Sequence, residues 1–344
     1  MLFIGERWFF LPNNKHQPTT KSLMRHLQVK EILVIILTLT LCLFVAIEIG
    51  MRSLFGFGNP LTYIADEQIG YLLAPNQRTR RYGNRIEINQ YSMRSEAIEQ
   101  IPSSSTLRVL LLGDSIANGG WWTDQDNTLS SLIQGSLKAT NINNYQQIQV
   151  LNASANSWGP RNELAYLEKF GSFNAQVVVL VINTDDLFAT APTSLPVGRD
   201  RNYPDRKPPL ALVEVLRNYI FKPQPMPELA AIHKEGGDRV GRNLEAIGKI
   251  QALTRQSNTQ FLLVMTPLLR EIGSPGSRDY EIKARQRLSE FTKTQHIAYI
   301  DFLPKFNITK NPRNLYHDHI HLNLQGNQIV SEVIKQKLID ILKF

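Results

Sequence analysis

A short segment around residue 115 combines a strand pattern, a tight turn and a serine hydroxyl. A mainly apolar run at 107–112 ends at Gly113-Asp114-Ser115. This pattern predicts a buried strand that stops at a turn and exposes Ser115 at its C-terminal end. Ligands bind at that end of the strands in open α/β sheets. Ser115 is therefore a candidate nucleophile, although a serine that only caps the next helix gives the same tripeptide.

A second segment, near the other end of the chain, could supply the base that a serine nucleophile needs. Asp318 and His321 are three residues apart. At this spacing the carboxylate can hold one imidazole nitrogen and leave the other facing a serine, as in a Ser-His-Asp triad. The following stretch, 323–326, predicts the start of the last helix. We therefore interpret Ser115, His321 and Asp318 as candidate catalytic residues.

The same segment is rich in histidine, which leaves two alternatives open. His317, His319 and His321 alternate along the chain and could bind a divalent metal, or they could form a solvated polar loop. No second cluster of Asp, Glu or His offers a completing ligand. The only cysteine, Cys42, cannot form an intramolecular disulfide or a cysteine metal site. We therefore predict no metal site and no cofactor.

The N-terminal region contains a long apolar segment. Residues 32–47 are apolar or Thr, and through residue 51 the segment is long enough to span a bilayer. A buried core helix and a cleaved signal peptide are the alternatives. The polar N-terminal stretch is long for a signal peptide, and no small-x-small cleavage site follows. Basic residues precede the segment, so the sequence predicts a cytoplasmic tail at 1–31, a transmembrane helix at 32–51 in contact with the lipid bilayer, and an extracytoplasmic remainder.

The rest of the chain divides into three parts by composition. Residues 52–104 are rich in turn residues and predict a juxtamembrane segment and linker, with a short strand at 85–89. Residues 105–344 alternate strand and helix patterns, which predicts a doubly wound α/β sandwich with a mostly parallel sheet. Within them, 190–237 is a Pro-rich insertion that either covers the sheet edge or site, or is a plain surface excursion. The net charge of +8 comes with no basic stripe interleaved with aromatics, so nucleic-acid binding is not predicted.

From Thr106 to its end, the sequence resembles the SGNH hydrolases (GDSL lipases and esterases). The matching blocks are Leu-Leu-Gly113-Asp114-Ser115 and Asp318-His-Ile-His321-Leu-Asn-Leu-Gln-Gly326. The resemblance implies a three-layer α/β/α sandwich with a parallel, flavodoxin-like sheet. It also implies that Ser115 is the nucleophile, His321 the base and Asp318 the acid that orients the histidine.

Two middle blocks depart from the family pattern at the oxyanion hole. Ser157 stands where the family has a glycine, with Gly159 two residues on, and Asp185 stands where an asparagine donates. An ionised carboxylate cannot donate, and losing one oxyanion donor costs on the order of 100-fold in rate. Three alternatives remain: a protonated Asp185, donation by Asn183 or Asn156, or a local shift that makes Asn183 the equivalent residue.

The sequence thus predicts a membrane-anchored, extracytoplasmic serine esterase or O-acyltransferase. By analogy with anchored relatives, its substrate would carry O-acetyl or other ester groups on envelope glycans or lipids. The altered oxyanion blocks motivate a second hypothesis, in which the same fold is a weakly active or inactive glycan-binding or assembly protein.

Overall fold

The computed structural model describes residues 29–140 and 145–342, so most of the predicted tail at 1–31 lies outside the described residues. The apolar segment forms helix α1 (Val29–Gly50), which continues as a π-helical turn (Met51–Phe55). The side-chain hydroxyls of Thr38 and Thr40 donate to the backbone carbonyls of Val34 and Ile36, one helical turn earlier. Neither hydroxyl therefore needs a hydrogen-bond partner outside the helix. The most apolar 18-residue window has a mean hydropathy of 2.9, and none of it is buried. The length and composition suit a membrane anchor or a signal sequence.

Two antiparallel hairpins follow this helix. The first pairs β1 (Tyr63–Asp66) with β2 (Gly70–Leu73), and the second pairs β3 (Gln77–Arg81) with β4 (Asn84–Ile88). Their apolar side chains, including Leu72 and Ile86, join the buried cluster on one face of the central sheet. The hairpins belong to the compact unit that begins at Glu48 and also contains the central sheet.

The central sheet has five strands: β5 (Thr106–Gly113), β6 (Gln147–Ser154), β7 (Val177–Asn183), β8 (Gln260–Thr266) and β9 (Ala298–Asp301). All neighbouring pairs are parallel, and the spatial order is β6-β5-β7-β8-β9. This is the flavodoxin-like order, with the first strand in sequence next to the second and third. Strands β5 and β7 are buried along their whole length, which explains their nearly continuous apolar sequence.

Helices cover both faces of the sheet. They are α2 (Ser115–Asn118), α3 (Leu129–Ala139), α4 (Pro160–Phe170), α5 (Ala211–Val215), α6 (Pro227–His233), α7 (Arg239–Gln256), α8 (Asp279–Thr294), α9 (Leu303–Asn307) and α10 (Leu324–Leu342). Short 3₁₀ turns lie at Gln125–Asn127, Asp185–Phe188, Leu269–Glu271 and Pro312–Leu315, and a π turn at Leu216–Ile220. The apolar faces of α3, α9 and α10 pack on one side, and those of α4, α7 and α8 on the other. The predicted three-layer α/β/α sandwich is confirmed.

The Pro-rich insertion packs against the hairpins. The N–H of Tyr63 donates to the carbonyl of Pro204 at 2.8 Å. The ring of Tyr203 packs against those of Tyr63 and Tyr71, with its centroid 5.0 Å from each. The carboxylate of Glu214 accepts from the N–H of Gly58 at 2.6 Å. Segments that are distant in sequence, 57–88 and 190–237, therefore build one wall of the domain.

Candidate functional site

The sequence folds into a tight turn at the end of β5 because only a glycine fits there. A Cβ on Gly113 would lie 2.7 Å from both the Cβ of Ala117 and the carbonyl oxygen of Val181. Asp114 then caps α2, its Oδ1 accepting from the N–H of Ile116 at 2.8 Å. Ser115 is the first residue of this helix, and it is 9% exposed. Its hydroxyl thus stands at the C-terminal edge of the sheet.

A loop between α9 and α10 brings His321 and Asp318 to this hydroxyl. The loop is closed by a bridge between Tyr316 and Leu322. The Nε2 of His321 lies 2.8 Å from the Oγ of Ser115, and its Nδ1 lies 2.7 Å from Oδ2 of Asp318. The structure therefore brings together the three residues that the sequence singled out, although Ser115 lies more than 200 positions before the other two.

Asp318 is held in its ionised form. Its Oδ1 accepts from the backbone N–H groups of Ile320 and His321, at 2.9 and 2.8 Å. Partial burial opposes ionisation, but these bonds and the contact with the His321 ring outweigh it and lower the pKa of Asp318 to about 2. A carboxylate that remains charged at neutral pH can fix the tautomer of His321 with its proton on Nδ1, which leaves Nε2 free to accept from Ser115.

The other two histidines of the loop have different surroundings. His317 stacks on Trp122 with the ring planes 5° apart, and His319 is largely exposed. The ring of Trp122 also lies against His321, with centroids 4.4 Å apart. Across the ranges that the structure describes, no group of three His, Cys, Asp or Glu is arranged to hold a metal ion. Trp122 was not singled out from the sequence, where a Trp-Trp pair after a turn carries no distinguishing signal.

Behind Ser115 lies a buried set of acidic side chains. Asn183 donates through Nδ2 to Oδ2 of Asp114 and to Oδ2 of Asp186, both at 2.9 Å. Burial raises the pKa of Asp114 to about 6 and that of Asp186 well above its usual value. Both carboxylate oxygens of Glu163 are buried and have no hydrogen-bond partner among the described residues. Asn183 therefore supports the turn that carries Ser115.

The four residues predicted for the oxyanion hole are not brought together. Ser157 lines the same pocket as Ser115. The N–H of Gly159 instead donates to the side chain of Asn162 at the start of α4, and the amide of Asn183 is used as described above. Asp185 lines a separate depression, where burial raises the pKa of its carboxyl and Arg270 opposes that rise. Gly159, Asn183 and Asp185 therefore each have another hydrogen-bond partner or another location in this structure.

The pocket above Ser115 has a volume of about 880 Å³. The hairpins and the insertion supply most of its wall, and Trp121, Trp122 and His321 close it near Ser115. Asn156 also lines it, and the side-chain oxygen of this residue is buried and has no hydrogen-bond partner among the described residues. A pocket of this size is large enough for a ligand far bigger than an acetyl group.

A family model described as GDSL-like Lipase/Acylhydrolase matches residues 111–329, which include Ser115, Asp318 and His321. The chain belongs to this family. The protein is thus an ester-cleaving serine hydrolase. None of the curated proteins matches the chain.

Solved structures that resemble this GDSL-like hydrolase include several esterases. An acetylxylan esterase from Geobacillus stearothermophilus is 15% identical, with a TM-score of 0.46, over 69% of this chain and 95% of its own. An acetyl xylan esterase named AlAXEase is 18% identical, with a TM-score of 0.43, over 68% of this chain and 100% of its own. An alpha/beta hydrolase from the metagenome of Lake Arreo, Spain, is 13% identical, with a TM-score of 0.43, over 68% of this chain and 95% of its own.

Proposed function

We propose that Ser115, His321 and Asp318 act as a catalytic triad. The observation that carries this proposal is the continuous contact from Asp318 Oδ2 through the His321 ring to Ser115 Oγ, at 2.7 and 2.8 Å. Nε2 of His321 takes the proton as Ser115 attacks the ester carbonyl, and returns it to the leaving alcohol. The acyl group then remains on Ser115 until water or an acceptor hydroxyl attacks it.

The oxyanion formed by this attack would be held by donors beside Ser115. The N–H of Ser115 lies at the start of α2, where N–H groups lack intrahelical acceptors. Ser157 and Asn156 line the pocket next to it. We assign the backbone N–H of Ser157 and the side-chain NH₂ of Asn156, whose residues both line the pocket, as further donors, in place of the asparagine that the family has at the position of Asp185. This assignment removes the need for Asp185 to be protonated.

The proposed setting is the extracytoplasmic face of a membrane. The most apolar window of helix α1 is unburied, and basic residues precede the apolar segment in the sequence. A domain anchored in this way would meet O-acylated glycans or lipids of the cell envelope. The acyl-enzyme would be released to water, which makes the protein an esterase, or to a sugar hydroxyl, which makes it an O-acyltransferase.

Hydrolysis of p-nitrophenyl acetate by the detergent-solubilised full chain tests the triad. We expect turnover and fluorophosphonate labelling in wild type, and loss of both in Ser115→Ala. Ser104→Ala is the matched control, because Ser104 is exposed and should leave both unchanged. Equal labelling of wild type and Ser115→Ala would refute the nucleophile assignment, and absence of any turnover would favour the glycan-binding hypothesis.

The anchor and its orientation are tested separately. We expect the full chain to remain uncleaved in the membrane fraction after alkaline extraction. A C-terminal fusion should be active with a reporter that works only outside the cytoplasm. Activity of a reporter that works only in the cytoplasm would contradict the orientation, and an N-terminus found downstream of α1 would indicate a signal sequence instead.

A further inference from the structure

The pocket that contains Ser115 carries an excess of positive charge. Among the described residues, five cationic side chains line it, and Glu214 is the single acidic one. The cations are Arg81, Arg201, Arg206, Lys207 and Arg217. Lys207 and Arg217 have no ion-pair partner in the described part of the chain. Low-dielectric walls concentrate the positive electrostatic potential of these side chains, so the pocket attracts negatively charged ligands.

Arg81 is held in place and still has an unused donor. Its guanidinium contacts Glu214 and lies over the ring of Phe57, 4.8 Å from the centroid. The Nη1 atom is buried and has no hydrogen-bond partner within the described residues. The other oxygen of Glu214 is occupied by the N–H of Gly58. A buried guanidinium with a free donor is most easily satisfied by an anionic oxygen, since such charge-assisted bonds are the strong ones.

The remaining lining suits a sugar better than a lipid chain. The lining includes six Trp and Tyr rings with a polar edge, among them Trp121, Tyr82 and Tyr219, and three asparagines. Among the described residues that line the pocket, only Leu61, Ile86 and Val213 are leucine, isoleucine or valine. A fatty acyl chain needs a continuous aliphatic surface, whereas a saccharide has both apolar faces and hydroxyl edges that match amphipathic rings.

We propose that this pocket selects O-acylated saccharides that carry an anionic group, a carboxylate or a phosphate. The acyl ester would lie at Ser115, and the anionic group would bind the cations supplied by β3 and the insertion, Arg81 first among them. The inference rests on the proposed function, since it concerns the same pocket. It goes further in naming the charge and class of the substrate.

Binding to the full-length Ser115→Ala protein in detergent tests this selectivity without requiring turnover. The probes are O-acetylated glucuronic acid, O-acetylated glucose 6-phosphate and O-acetylated glucose, measured by calorimetry. We expect one or both anionic probes to bind at least about tenfold more tightly than the neutral one. We expect this difference to shrink in 0.5 M salt, because screening weakens charge attraction. The two anionic probes distinguish carboxylate from phosphate recognition.

Variants assign the effect to the pocket cations. Arg81→Gln, and separately the pair Lys207→Gln and Arg217→Gln, should weaken binding of the anionic probe by about fivefold or more and leave the neutral probe unchanged. The double variant of Lys207 and Arg217 controls for a folding defect in Arg81→Gln, because both of its side chains are exposed. Arg78→Gln is the matched control, since Arg78 lies on the same strand with an 82% exposed side chain.

Three results would overturn the proposal. They are equal affinity for the three probes, equal losses for anionic and neutral probes in the variants, and binding of anionic phospholipid micelles with no binding of any sugar. Failure of the triad is distinguishable from these, because it would appear as absent p-nitrophenyl acetate turnover in wild type while the binding preference persisted.

Discussion

Ser157 adopts a backbone conformation that most residues avoid. Its φ is +61°, in the left-handed region where glycine carries no penalty. The sequence comparison placed Ser157 where the family has a glycine, and the structure supplies the physical reason for that preference. The hydroxyl of Tyr203 donates to Oγ of Ser157 at 2.9 Å and fixes the residue in this state. The change from glycine to serine therefore keeps the left-handed backbone conformation and adds a side-chain contact with the insertion.

Substitution of Asn156 tests the proposed oxyanion hole. Asn156→Ala should lower kcat for p-nitrophenyl acetate by roughly 100-fold with little change in KM, because an oxyanion donor acts mainly in the transition state. Asp185→Asn is the control and should change kcat by less than about twofold, since Asp185 lines a different depression. A large gain of activity in Asp185→Asn would instead restore the family's pattern and refute the Asn156 assignment.

The grouping of Ser115, His321 and Asp318 could be predicted from the sequence, whereas the partners of Asn183 could not, for a physical reason. Ser115 and Asp318 lie in motifs whose local geometry is set by a few neighbouring residues, a tight turn and a three-residue spacing. The hydrogen-bond partners of the Asn183 side chain depend instead on a long-range contact with Asp114 and on the position of Asn183 at the end of β7. No local pattern shows that its amide is already used.

At the scale of elements, one buried arginine organises the loop after the nucleophile. Arg94 is 1% exposed and donates to the carbonyls of Asn118, Gly120 and Thr123 at 2.6, 2.6 and 2.5 Å. These carbonyls lie in the segment that carries Trp121 and Trp122 to the pocket. A segment that composition suggested to be a linker thus supplies the side chain that shapes the active-site wall. No local pattern predicts this role of Arg94, because its contacts with these carbonyls join residues more than 20 positions apart.

Removing Arg94 should destabilise the domain and disturb the site. Arg94→Met would leave three carbonyls unsatisfied, so we expect a loss of roughly 3 kcal/mol or more in the free energy of unfolding, and lower activity. Urea denaturation followed by tryptophan fluorescence measures this loss. Arg78→Met should stay within about 0.5 kcal/mol of wild type, as is usual at exposed positions. Similar stabilities of the two variants would contradict the role given to Arg94.

The strands and helices of the sandwich were largely predictable, whereas the packing of the hairpins against the insertion was not. The buried strands β5, β7 and β8 have apolar runs that reveal both their type and their burial. The hairpins and the insertion have short elements and turn-rich sequences, and they are joined by contacts such as that of Tyr63 with Pro204. Periodicity does not report pairing between such distant segments.

For the molecule as a whole, the acidic groups under the site make stability depend on pH. Glu163 is fully buried, and burial together with the negative charge of Asp114 raises the pKa of Glu163 well above its usual value. The folded protein therefore keeps Glu163 protonated at a pH where the unfolded chain releases that proton. Its contribution is most favourable below the unfolded pKa of about 4.3, and it is lost progressively as the pH rises toward the folded pKa.

Replacing Glu163 with a group that cannot ionise should remove this part of the pH dependence. We expect Glu163→Gln to have a higher Tm than wild type at pH 8, and the difference to shrink as the pH falls toward 5. Asp114 and Asp186 remain in the variant, so some loss of stability with rising pH should persist. Glu168→Gln on the exposed side of α4 is the matched control and should follow wild type at every pH. Differential scanning calorimetry between pH 5 and 8 measures these Tm values. If the Tm difference between Glu163→Gln and wild type did not change with pH, Glu163 would be ionised in the folded protein.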